Sequence, residues 1–104
     1  MVLNVKERIV LLWILPVESD SDTLRIVRKL RSILNFTPAE QSELGFRSEA
    51  NRVQWNTAAE VDVDIPLDAK AVGLIMETFK GLDKDKKLTL DSLAVYERFL
   101  ALKA

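Results

Sequence analysis

The sequence predicts a small single-domain α+β protein, residues 1–104, in which about five helices pack with a two- or three-stranded antiparallel meander in the order ααα-βββ-αα. Three observations carry this. Capping signatures and prolines mark off helical segments toward both ends of the chain. Between them, residues 52–65 place Val, Trp and Ile in period-two alternation with polar residues. The length of 104 residues, with 48% hydrophobic and 30% charged, suits one buried core and one domain.

The first helix is expected over residues 5–15. Asn4 stands at the N-cap with Glu7 three residues on, the spacing of a capping box, and Pro16 stops the helix. Apolar residues surround its axis, which puts it either at the centre of the core or against a partner. The run IVLLWIL at 9–15 follows Lys6 and Arg8, as the apolar part of a signal peptide follows its basic end. The segment after it offers no small-residue cleavage site, and the run is far short of the ~18 apolar residues that span a bilayer. The expectation is a buried helix in a cytoplasmic protein that does not engage a membrane.

Residues 16–22 are acidic and turn-like, and Ser19, Asp20 or Ser21 caps a second helix over 22–34. Leu24, Val27, Leu30 and Leu34 form its inner face, widened by Ile26 and Ile33. Arg25, Arg28, Lys29 and Ser32 lie opposite, with Arg31 at the margin. The third helix, 38–44, has the clearest punctuation: Thr37 as N-cap, Pro38 at the first position, Glu40 completing a capping box, and Gly45 just past the end.

Strands are expected at 46–49 and 52–56 around an Ala50-Asn51 turn, with Val53 and Trp55 on one face. A third strand at 60–65 would bury Val61, Val63 and Ile65 and expose Glu60, Asp62 and Asp64. Pro66 and Asp68 open a fourth helix running to about residue 82, with Val72, Ile75, Met76, Phe79 and Leu82 inward. A charged loop at 81–87 follows. Thr89 caps the fifth helix, Leu88 and Leu93 are spaced for a hydrophobic staple, and Leu93, Tyr96 and Phe99 or Leu100 form its buried stripe.

The chain has no histidine and no cysteine. The commonest general base, the commonest metal ligand and the strongest common nucleophile are therefore missing, and a disulfide framework is excluded. The net charge of −1 is spread evenly along the chain, so no overall field draws it to nucleic acid or an anionic membrane. No phosphate-binding or nucleophile-elbow motif occurs, and the chain has only three glycines. The loop from Asp83 matches a calcium loop at Asp83, Asp85, Leu90 and Asp91. Lys87 occupies a ligand position, Leu88 the turn glycine, and Ala94 the bidentate acid, so it reads as a solvated turn. Glu60, Asp62 and Asp64 read as a solvent face beside Arg52 rather than a magnesium site. No catalytic, cofactor-binding or metal-binding residue is assigned.

Leu15-Pro16-x-Glu18, Thr23-Leu24-x-Ile26-Val27-Arg28-x-Leu30-Arg31, Val53-x-Trp55-Asn56 and Lys87-Leu88-Thr89 with Val95-Tyr96-Glu97-Arg98-Phe99 resemble blocks in a loose group of small phage and prophage proteins. The resemblance spans most of the chain. It implies a mobile-element origin, a place in the host cytoplasm or the virion, and action by binding, as a virion or assembly part or as an inhibitor of a host protein. It transfers no activity and no functional residue.

The first reading of function is a non-enzymatic protein–protein interaction module whose partner is another protein or a second copy of itself. Trp13, Ile9 and Leu12 on the first helix, Arg25, Arg28 and Lys29 on the second, and Trp55 are the candidate partner-binding residues: tryptophan is enriched at interface hot spots, the first helix is apolar on nearly every side, and the basic face of the second could grip phosphates. The alternative is a winged-helix-like nucleic-acid binder. Its recognition helix would be 38–44, which holds two acids and no cation. A carboxylate- and metal-dependent enzyme ranks third.

Overall fold

The computed structural model describes residues 1–50 and 52–102. It is an α+β domain with the element order β1 (Val2–Leu3), α1 (Val5–Ile14), α2 (Ser21–Leu34), α3 (Pro38–Leu44), β2 (Arg47–Glu49), β3 (Arg52–Gln54), β4 (Val63–Asp64), α4 (Ala69–Lys84) and α5 (Leu90–Leu102). A single 3₁₀ turn, Thr57–Ala59, links β3 to β4.

Local capping chemistry sets the helix ends. Asn4 Oδ1 accepts from Glu7 N at 2.8 Å while Asn4 N donates to Glu7 Oε1 at 2.9 Å, the reciprocal box expected from their spacing. Asp20 is the cap of α2 and accepts from Thr23 N at 3.0 Å and the Thr23 hydroxyl at 2.7 Å. Those bonds, the hydroxyl's first, hold the Asp20 carboxyl down at about 2. Thr37 and Glu40 close the box on α3, and Gly45 ends it in the left-handed region at φ 57°, where glycine carries no Cβ penalty. On α5, Thr89 Oγ1 accepts from Ser92 N at 3.1 Å and Ser92 Oγ accepts from Thr89 N at 2.8 Å.

The strands divide differently from the expected meander. β2 and β3 form an antiparallel hairpin with Ser48 opposite Val53, while β4 pairs instead with β1, Val2 opposite Asp64 and Leu3 opposite Val63. Asn51, the second residue of the expected turn, lies outside the described residues; Ala50 before it adopts φ 46°. The segment 60–65 is thus a strand only where β1 offers backbone partners. Val61, expected inward, is 67% exposed, because no ladder reaches it. Ile65 is buried and Val63 half-buried, while Glu60, Asp62 and Asp64 face solvent as expected.

α4 packs against α5, α2 and α1, and α1 also packs against α2 and α5. Ile75, Met76 and Phe79 of α4 meet Val95, Tyr96 and Phe99 of α5, and Phe79 stacks on Tyr96 with ring centroids 5.1 Å apart. The buried stripe of α5 therefore runs through Ser92, Val95, Tyr96 and Phe99. Of the two alternatives for the end of the stripe, Phe99 is buried and Leu100 exposed; Leu93, expected inward, is exposed, so the Leu88–Leu93 staple is not made from two buried partners. α4 runs two residues further than expected, into residues placed in a charged loop, and half-buried Leu82 anchors its last turn on the core.

A second, smaller cluster forms from Val5, Ile9, Phe36 and Leu44, with Phe46, Val53 and Trp55 packed on it. α1 lies between the two clusters: Val10 and Leu11, with Leu15 just past its end, enter the larger, Val5 and Ile9 the smaller, and Leu12 touches both. This explains why its apolar residues surround the axis.

Among the buried residues is one charge that sequence reasoning placed in a basic flank. Arg8 is 2% exposed. Its Nε donates to Leu34 O at 3.1 Å and Nη2 to Asn35 O at 2.8 Å, satisfying carbonyls at the end of α2. Nη1 donates to Glu40 Oε2 at 2.7 Å, and the guanidinium lies 4.0 Å from the centroid of the Phe36 ring. The Arg8 hydrogen bond, with Thr37 and the Arg8 charge adding to it, holds the Glu40 carboxyl at about 2. One side chain thus ties α1, α2 and α3 together.

Candidate functional site

Trp13 is 67% exposed, while the other apolar residues of α1 are buried or half-buried. Lys6, Ile9, Val10 and Trp13 lie at spacings of three and four, which puts them on one face of α1. β3 stands opposite and contributes Arg52 and Val53, with Trp55 just beyond it. Asp91 from the first turn of α5 completes the rim. These residues enclose an open cleft of about 530 Å³.

The walls are apolar: two indoles, Ile9, Val10 and Val53. The rim is charged. Lys6 Nζ pairs with Asp91 Oδ1 at 2.8 Å, both side chains being more than half exposed, so the pair orients the rim more than it stabilises the fold. Trp55 is held from two sides. Its ring packs beside Phe46 at a centroid distance of 6.2 Å, and its Nε1 donates to the Glu60 carboxylate. The Trp13 indole is mostly left open to solvent.

The cleft gathers three of the residues expected to bind a partner: Ile9, Trp13 and Trp55. Ile9 presents only an edge, being buried in the smaller cluster. Leu12 packs against both clusters and does not line the cleft. Arg25, Arg28 and Lys29 are exposed on α2, away from it. Sequence reasoning missed Lys6, Val10, Arg52, Val53 and Asp91. The α1 spacing was a usable signal for the first two, whereas Arg52, Val53 and Asp91 arrive through tertiary contacts that no local pattern announces.

Such a cleft suits the burial of an apolar or aromatic side chain under a charged rim. Among the described residues, no group of three or more Asp or Glu side chains is placed to hold a metal ion. Glu60 is taken by Trp55, and Asp64 pairs with the Met1 ammonium at 2.9 Å rather than with Arg52. The chain order of α3 followed by the β2–β3 hairpin is that of the winged-helix alternative. Its would-be recognition helix carries no cation, and Glu40 on it is occupied by buried Arg8. Among the described residues, no helix is long and apolar enough to cross a membrane.

No protein-family model matches this chain, and neither a curated protein nor a solved structure matches it.

Proposed function

We propose that this chain is a non-enzymatic protein–protein interaction module that docks a partner protein, or a second copy of itself, through the cleft between Trp13 and Trp55. The exposure of the Trp13 indole beside Trp55 carries this reading. A fold that buries every other large aromatic at least partly leaves this one in water, and a large exposed aromatic at a concave apolar site is the usual form of an interface anchor. The resemblance to small phage and prophage proteins supports the same class of action: a part of a virion or its assembly, or an inhibitor of a host protein, working in the host cytoplasm or the particle.

The test compares wild type with Trp13→Ala in sedimentation and in capture from the native host. Wild type is expected to self-associate or to retain a defined protein, and Trp13→Ala to weaken that association by on the order of 2 kcal/mol while its melting curve is unchanged. Retention that survives Trp13→Ala and Trp55→Ala together would refute the assignment of this cleft. Binding to random duplex that falls steeply with salt would bring forward the nucleic-acid reading.

A further inference from the structure

A concavity larger than the tryptophan cleft lies elsewhere, between α2 and the start of α4, with a volume of about 760 Å³. Its floor is made by Ile26, Leu30 and Ile33 of α2 facing Leu67 and Ala71. The α2 residues lie at spacings of four and three, so they form one stripe about 10 Å long, two helical turns. Leu30 and Ala71 are buried, while Ile26, Ile33 and Leu67 remain half-buried, which leaves apolar atoms open to solvent along the stripe.

The rim is cationic. Arg25 and Lys29, one turn apart, border the groove on the α2 side, and Lys70 borders it on the α4 side. The one acid there, Asp68, is committed to the fold, since its carboxylate accepts from Ala71 N at 2.8 Å as the α4 cap. Arg25 pairs with Asp22 at 2.8 Å in a contact that is largely solvated and easily exchanged. Lys29 and Lys70 make no ion pair among the described residues. In a chain of net charge −1, the free charge around this apolar strip is thus positive.

We infer that this groove is a second docking site and takes an acidic amphipathic helix of a partner protein. An apolar stripe two turns long accepts three apolar anchors at i, i+3 or i+4, and i+7 of a facing helix. Cations on both banks match carboxylates flanking those anchors and disfavour a basic helix. A nucleic-acid backbone would satisfy the cations and leave the floor wet, so the apolar strip favours the peptide. This inference is independent of the tryptophan cleft, with which the groove shares no lining residue.

The probe is a fluorescein-labelled synthetic helix of roughly 18 residues with one leucine stripe flanked by glutamates, titrated against the full chain by anisotropy. Wild type is expected to bind it. Lys29→Glu with Lys70→Glu should weaken binding about tenfold or more, and the same peptide with lysines for glutamates should regain affinity for that double variant. Both lysines are exposed, so melting curves of variant and wild type should coincide. Trp13→Ala should leave peptide binding unchanged. No binding to wild type, equal binding by the double variant, equal binding of a glutamine-flanked peptide, or displacement of the peptide by random duplex would each overturn the inference.

Discussion

Replacing Arg8 by methionine tests whether one buried cation holds three helices together. Methionine keeps most of the aliphatic length and its contact with the Phe36 ring, and it removes every polar contact. Leu34 O and Asn35 O lose their donors at 3.1 and 2.8 Å, and Glu40 loses its counter-charge at 2.7 Å. Breaking one side of a buried ion pair costs about 3–5 kcal/mol, most of it the penalty of the partner left behind. The Glu40 side chain is 29% exposed, so water reaches it once Arg8 is gone and the loss falls toward the lower bound. The expected destabilisation is about 3 kcal/mol, which for a domain of this size lowers the melting temperature by about 12 °C or more. Urea denaturation followed by far-UV circular dichroism at pH 7 measures it, with an unchanged m value. A second reading comes from acid. Glu40 sits at about 2 in the fold against an ordinary 4.5, so its contribution is fully present above pH 4.5 and is lost as pH falls toward 2. Because the variant lacks that partner, the stability gap between wild type and variant should narrow across this window. A loss below about 1 kcal/mol, or a gap independent of pH from 4.5 to 2, would refute the reasoning.

Phe99→Ala should cost about 3–5 kcal/mol by urea titration, because the ring is fully buried against Phe79. Val61→Asp should leave stability within about 0.5 kcal/mol, since Val61 stands in solvent; a large loss would mean that it is buried after all. Millimolar calcium or magnesium should leave the melting temperature unchanged, and a rise of several degrees would show by linkage that the folded state binds the ion.

What the sequence disclosed was local. Asn4 with Glu7 and Thr37 with Glu40 announce their caps because the partners lie three residues apart, and the α1–α3 bounds came within a residue of those observed. The α2 faces were equally legible, since three-and-four spacing needs no knowledge of the neighbour. Strand pairing was not. β1 is two residues long, has no periodicity of its own, and draws β4 away from the hairpin by pairing residues 60 and 62 positions apart. On α5, Tyr96 and Phe99 were legible, but Leu93 was expected inward in place of Val95 and Leu100 stayed an alternative to Phe99, because these residues are equally apolar and only the position of α4 chooses between the faces. Arg8 was hidden for a general reason: a charged residue reads as surface until its partners are known, and these come from residues 34 to 40. Trp13 was a candidate either way, and the site around it took shape only when the hairpin folded across α1.

The division of apolar residues into two clusters has a consequence for how binding and folding are linked. The larger cluster has fifteen buried side chains among the described residues and the smaller only four, so α3 and the hairpin rest on much the weaker foundation. Opening of that unit alone leaves α4 and α5 assembled, yet it carries Val53 and Trp55 away from Trp13 and dissolves the cleft. Affinity at the cleft is then scaled by the fraction of molecules in which the small unit is closed. A partner that bridges Trp13 and Trp55 must in turn hold it closed, so the least anchored part of the protein is the part that occupancy would stiffen most.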